Sequence, residues 1–207
     1  MARLDLLRSL LRAGADRARD RLGDVAPLAA VQRMVAELRR QRLVLHERAL
    51  TQVVAHVPGV RAATVTARHG AILVDVTYRD DETVSCRFFP ESARFAPRGA
   101  KELVFRVEPP EALRRPRTRE VAGALAGAIA QTLWSVALPK PESDDLSGAI
   151  VDRDGEEHVR VDLRTVPMVR RVQSKGPAGM VLELLELRGL EAEDGEVALL
   201  VKLPALG

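Results

Sequence analysis

Along residues 4 to 22, Leu4, Leu7, Leu11, Ala15, Ala18 and Leu22 recur at steps of three and four with Arg and Asp between them, the spacing of one face of an α-helix. Gly23 and Pro27 interrupt this stripe. Leu28, Val31, Val35, Leu38, Leu45 and Ala49 then continue a similar one, predicting a second helix that stops near Pro58-Gly59. From Val60 the period changes to two. Ile72, Val74, Val76 and Tyr78 alternate with smaller or polar positions, as do Val84, Cys86 and Phe88, and Leu103, Phe105 and Val107. These runs predict antiparallel strands turning at His69-Gly70, Asp80-Asp81 and Arg98-Gly99, with Pro109-Pro110 closing the series. A helix over 118–138 follows and is ended by Pro139 and Pro141. Beyond it, Val159, Val161 and Leu163 alternate with charged or polar residues, Val197, Leu199, Val201 and Leu203 form a last strand, and 173–179 is a loop.

One pattern occurs three times. In residues 65–76, 150–161 and 190–203 an aliphatic residue stands five before a Gly, another stands four after it, and Val stands six after it. The glycines are Gly70, Gly155 and Gly195, preceded by His69, Asp154 and Asp194. His-Gly and Asp-Gly supply the positive φ values that a tight hairpin turn requires. Each unit therefore reads as a two-strand hairpin with an aliphatic inner face, either a generic one or a member of a true structural repeat.

These elements define an α+β fold: one or more curved antiparallel sheets, an N-terminal amphipathic helical segment over 1–57, and a β domain over 58–207 with one buried apolar helix embedded at 118–138. At 207 residues and 46% hydrophobic content the chain is able to bury a substantial core. A net charge of +3 is too small to point to a polyanion partner, and aromatics at 3% argue against a stacking platform for single-stranded nucleic acid. The single cysteine, Cys86, rules out an internal disulfide and any Cys-based zinc site and suits a reducing compartment. The first residues begin like a signal peptide, but Asp5, Arg8 and Arg12 break the apolar run that export requires. The expected location is cytoplasmic, with peripheral contact to a membrane.

The stretch 121–138 contains no charge, and its only polar side chains are Gln131, Thr132 and Ser135; Gly123 and Gly127 stand four apart. It reads as a helix buried against the sheets, where small residues allow close backbone approach, with a short membrane span as the alternative. Arg114, Arg115, Arg117 and Arg119 precede it, at the helix end where the macrodipole disfavours cations. Free backbone N–H groups beside arginines suit a phosphate or lipid headgroup; the simpler reading is a solvated loop with Glu111 and Glu120 as partners. A second basic cluster, Arg39, Arg40 and Arg42, reads as an exposed helix face. The N-terminal leucine stripe predicts docking, within the chain, in a homodimer or on a partner protein, while Asp16, Asp20 and Asp24 disfavour a membrane-surface role for it.

Catalytic spacing is not visible. His46, His56, His69 and His158 form no metal-ligand pattern, no phosphate-binding glycine loop is present, and Cys86 falls on an inner strand face as a small core residue. No cofactor, metal or nucleic-acid partner is expected, and the chain reads as a non-enzyme.

The stretch 45–78, "LHERALTQVVAHVPGVRAATVTARHGAILVDVTY", resembles the start of tubular lipid-binding (TULIP-like) domains, in which a helix precedes a long curved sheet wrapped around an apolar helix. The resemblance spans about residues 45–203 and implies an elongated apolar groove that holds acyl chains; many bacterial members of that family are exported. Together these readings predict a non-enzymatic lipid-binding or membrane-associated domain. Arg114, Arg115, Arg117 and Arg119 would lie near the headgroup, with Ile129, Leu133 and Trp134 facing the apolar interior. The alternative is a protein-protein interaction or scaffolding module that uses the helices of residues 1–57.

Overall fold

A computed structural model describes residues 42–95, 100–135, 149–167, 169–170 and 186–202. The elements run β1 (Arg42–His46), α1 (Glu47–Ala55), β2 (Val60–Arg68), β3 (Ala71–Tyr78), β4 (Thr83–Phe95), β5 (Lys101–Glu108), a 3-10 turn (Pro110–Arg114) and α2 (Pro116–Ser135). After these come β6 (Val151–Asp154), β7 (His158–Asp162), a second 3-10 turn (Leu163–Thr165), β8 (Glu186–Glu193) and β9 (Glu196–Lys202). The α+β class and its antiparallel sheets are thus present. The described residues form two sheets, three-stranded in the order β1-β9-β8 and six-stranded in the order β2-β3-β4-β5-β7-β6, and each of these strand pairs is antiparallel.

One expected element changes type. Residues 42–46, read from sequence as part of a long second helix, form β1 and pair with β9 from Arg42↔Leu200 to His46↔Glu196; of the described residues of that stretch, Glu47–Ala55 are helical. Leu43 and Leu45, two apart, are both buried, which a strand permits and the helical stripe did not anticipate. α1 ends ahead of Pro58 and of Gly59, whose φ of 81° starts the turn into β2. β1 and α1 share one core with the strands after residue 60, so the described part of the 1–57 segment is built into the β structure. The stripe of residues 4–22, the remainder of the second helix, Arg39 and Arg40, the Arg98-Gly99 turn and the 173–179 loop lie outside the described residues.

All three glycine units are hairpins, but only two are alike. In β2–β3 and β8–β9 the residue five before the Gly pairs with the residue four after it, Val65↔Val74 and Leu190↔Leu199. In β6–β7 the turn takes three residues, so Val151 pairs with Val161. Ile150, the fifth residue before Gly155, thereby falls outside the ladder and is 56% exposed. Relative to the other two units the pairing is displaced by an odd number of residues, which sends a side chain to the opposite face of the strand.

The two matching hairpins hold each other at their tips. Gly70 N–H donates to Ala192 O and Gly195 N–H to Ala67 O, both at 3.0 Å; each acceptor stands three residues before the other hairpin's glycine, so the exchange is reciprocal. His69 and Gly70, at φ 50° and 78°, and Gly195, at 86°, adopt the left-handed backbone that a tight turn needs. Glu47, the first residue of α1, joins both tips. Its N–H donates to Gly195 O at 3.2 Å and its Oε1 accepts from Ala67 N–H at 2.7 Å. Thr51 Oγ1, one turn along, accepts from Val65 N–H at 3.0 Å. Side chains of α1 therefore occupy the outer edge of β2, while the opposite edge strand β6 exposes Asp152, Arg153 and Asp154, charges that oppose pairing with another strand. Replacing Glu47 with Ala removes the carboxylate from the Ala67 amide and is expected to cost ~1–3 kcal/mol; Glu47→Gln, which keeps an acceptor oxygen, should recover most of it. Urea midpoints check this, and a Glu47→Ala protein as stable as wild type would show that the tips hold without α1.

Every residue of α2 from Val121 to Ala130 is buried. α2 packs against α1, β1, β4, β6 and β7. The small residues explain how so many neighbours fit: a Cβ on Gly123 would lie 3.4 Å from Val151 Cγ2 and 3.5 Å from Ala149 O. The inner face of the six-stranded sheet supplies Ile72, Val74, Val76, Phe88, Phe105, Val107, Val159 and Val161 to the same core. Cys86 also lies there, and burial pushes its thiol up to about 12, which makes it an inert packing group. Among the described residues no helix is long and apolar enough to cross a membrane; α2 is covered by its own protein.

Candidate functional site

The start of α2 is where the sequence placed its cations, and the tertiary structure divides them into two pairs. Pro116 takes the first helical position, where its missing N–H costs nothing. Arg117, next in line, reaches back to the β3–β4 turn. Its Nη1 lies 2.8 Å from Asp80 Oδ1 and 2.8 Å from Glu82 Oε2, its Nη2 bonds Asp80 Oδ2, and its guanidinium lies 4.1 Å from the centre of the Tyr78 ring. The hydrogen bonds from Arg117 hold the Asp80 carboxyl down at about 2, and the same bonds raise the guanidinium further. Arg115 Nη1 donates to Thr83 O at 3.1 Å. Arg117 and Arg115 thus pin α2 to the turn. Arg114 and Arg119 are exposed and form no ion pair among the described residues.

The anion that compensates Arg117 is internal, supplied by Asp80 and Glu82, and the expected partners Glu111 and Glu120 do not take that role. Under Arg117 the Tyr78 phenol is buried, and burial followed by the nearby Glu120 charge pushes it up to about 12; its Oη and the Oγ1 of Thr118, in the first turn of α2, have no hydrogen-bond partner among the described residues. Ile129 and Leu133 are buried in the core, packed against protein; the side chain of Trp134 lies outside the described residues. The four arginines therefore share one end of α2, and Ile129 and Leu133 lie further along the same helix, inside.

Two features of the outer face of the six-stranded sheet were not read from the sequence. Arg106 stacks on Phe89 with its Cζ 4.2 Å from the ring centre, lies 3.3 Å from Glu91 Oε1 through Nε, and bonds Glu108, while His158 Nε2 lies 2.9 Å from Glu91 Oε2. The signal was available as alternation: Phe89↔Arg106 and Arg106↔His158 are direct cross-strand partners. The second feature is a shallow trough. A cavity of about 490 Å³ is lined by residues including Leu73, Asp75, Ser85, Arg87, Glu108 and Pro109. A neighbouring one of about 230 Å³ is lined by residues including Thr64, Asp75, Thr77, Thr83 and Ser85. They share Asp75 and Ser85. Neither includes a residue of α2.

Among the described residues no group of three or more His, Cys, Asp or Glu side chains is placed to hold a metal ion. No family model matches the chain, and no curated protein or solved structure matches it.

Proposed function

We propose that the protein is a non-enzymatic lipid-binding or membrane-associated module that meets an anionic surface at the start of α2. The observation that carries this reading is the division of the arginines. Arg115 and Arg117 are used up by the β3–β4 turn, while Arg114 and Arg119 project from the same helix end without carboxylate partners among the described residues. Two cations held beside a helix N-terminus are unfavourable there unless an anion compensates them, and the turn fixes their position, so little order has to be gained on contact.

The contact is at the surface. From Val121 to Ala130 the helix is enclosed by protein, so the acyl chains stay in the bilayer and the headgroup phosphates meet Arg114 and Arg119. Attraction of this kind contributes about 1 kcal/mol per arginine and fades as salt rises.

Co-sedimentation with phosphatidylglycerol vesicles tests the reading. Wild type is expected to bind at low salt and release as salt rises, with weak binding to phosphatidylcholine. The double variant Arg114→Gln, Arg119→Gln should lose about tenfold or more in affinity with an unchanged melting temperature. Arg117→Gln should do the reverse, lowering the melting temperature while leaving vesicle binding nearly intact. If wild type ignores anionic vesicles, or the double variant binds them as well as wild type does, the surface role fails and the scaffolding module of residues 1–57 becomes the reading to pursue.

A further inference from the structure

The trough on the outer face of the six-stranded sheet presents two opposite charges that the fold leaves unpaired with each other. Asp75 on β3 stands directly opposite Ser85 on β4, and Leu73 directly opposite Arg87. Asp75 and Arg87 are therefore diagonal neighbours on one face, their Cβ atoms about 7 Å apart. Each is exposed, and neither forms an ion pair among the described residues. The reason lies in the register: Ser85 Oγ donates to Asp75 Oδ1 at 2.6 Å, turning the carboxylate along its own row and leaving Oδ2 open. Glu108, the other carboxylate of the lining, stands on β5 directly opposite Arg87 but is engaged by Arg106. The free charges of the cavity are thus one anion and one cation, with the half-buried Leu73 as an apolar floor between them.

We propose that this trough binds a small zwitterion, its primary ammonium at Asp75 and its phosphate or carboxylate at Arg87, with a short methylene linker over Leu73. An ammonium donates to the open Asp75 oxygen, and the Arg87 guanidinium offers a planar fork of donors to an oxyanion. A ligand with both ends engages both side chains at once, whereas a singly charged one leaves an opposite charge uncompensated. The chemistry has two sources, the phosphoethanolamine headgroup of a lipid and a free soluble zwitterion of the same kind. The site is separate from Arg114 and Arg119 and does not rest on their role.

The experiment is an NMR titration of the full chain with O-phosphoethanolamine, read at the amides of Leu73, Ser85 and Arg87, beside ethanolamine and glycerol phosphate, which each carry one end. Saturable shifts at those amides are expected, with each single-ended compound at least ~10-fold weaker. Asp75→Asn and Arg87→Gln should each weaken phosphoethanolamine by about tenfold without moving the melting temperature, and Asp152→Asn, on β6, should not change it. Vesicles distinguish the sources: retention on phosphatidylethanolamine over phosphatidylcholine that is lost in Asp75→Asn identifies a lipid headgroup, and soluble binding with no such retention identifies a free metabolite. The proposal is overturned if phosphoethanolamine binds no better than its halves, or if either charge is removed without effect.

Discussion

An Ala126→Asp protein is expected not to fold. Ala126 is fully buried midway along α2, between Leu125 and the next turn of Ala128, Ile129 and Ala130, which are themselves buried. An unpaired charge in such surroundings costs at least several kcal/mol, comparable with the whole stability of a domain. The far-ultraviolet circular dichroism spectrum should lose its folded form, or the melting transition should fall below working temperature. A change at the half-buried Gln131, to Ala, should leave both nearly as they were. A folded Ala126→Asp protein would mean that this face of α2 borders water, and the enclosed interior would have to be abandoned.

The second large effect separates the two faces of β4. Phe88 and Phe89 are consecutive, and a strand sends consecutive side chains to opposite sides. Phe88 meets Phe105 edge to face inside the core, ring centres 6.0 Å apart at 83°, and both are fully buried; Phe89 lies outside under Arg106. Phe105→Ala is expected to cost ~3–5 kcal/mol through lost burial and the cavity left behind. Phe89→Ala removes only a stacking partner of the half-buried Arg106, worth about 0.5–1 kcal/mol. Urea unfolding of the two variants checks the contrast, and equal or inverted costs would show the strand facing the other way.

The α+β class, the alternating strands of β3, β4 and β5, and the presence of a buried helix after residue 116 were legible because each depends on chemistry close in sequence; residues 136–138, expected to end that helix, lie outside the described residues. The period-two runs of Ile72 to Val76 and Val84 to Phe88 need no distant partner to be read. His69-Gly70 and Asp194-Gly195 announce their turns by residue type alone, since positive φ is unfavourable for most other side chains. α2 begins at Pro116, two residues before the expected start at 118, because proline is well suited to a first helical position. The candidate site was legible only as a concentration of arginines.

What remained hidden depends on residues far away along the chain. "RLVLH" is helical in pattern and becomes β1 because β9, more than 150 residues later, offers a ladder; backbone hydrogen bonding from a distant strand outweighs a weak periodic preference. Nothing near Arg117 reveals that Asp80 and Glu82 will neutralise it, or that Arg114 and Arg119 will be left without such partners. The three glycine units look alike in sequence, yet one extra turn residue expels Ile150 while the other two hairpins exchange hydrogen bonds at their tips. Sequence by itself determined the local elements and the inner face of most strands, through backbone sterics and hydrophobic period. Tertiary structure decided which strand ends meet, which charges cancel and which stay open, because those outcomes depend on distances between segments that are adjacent only once the chain has folded.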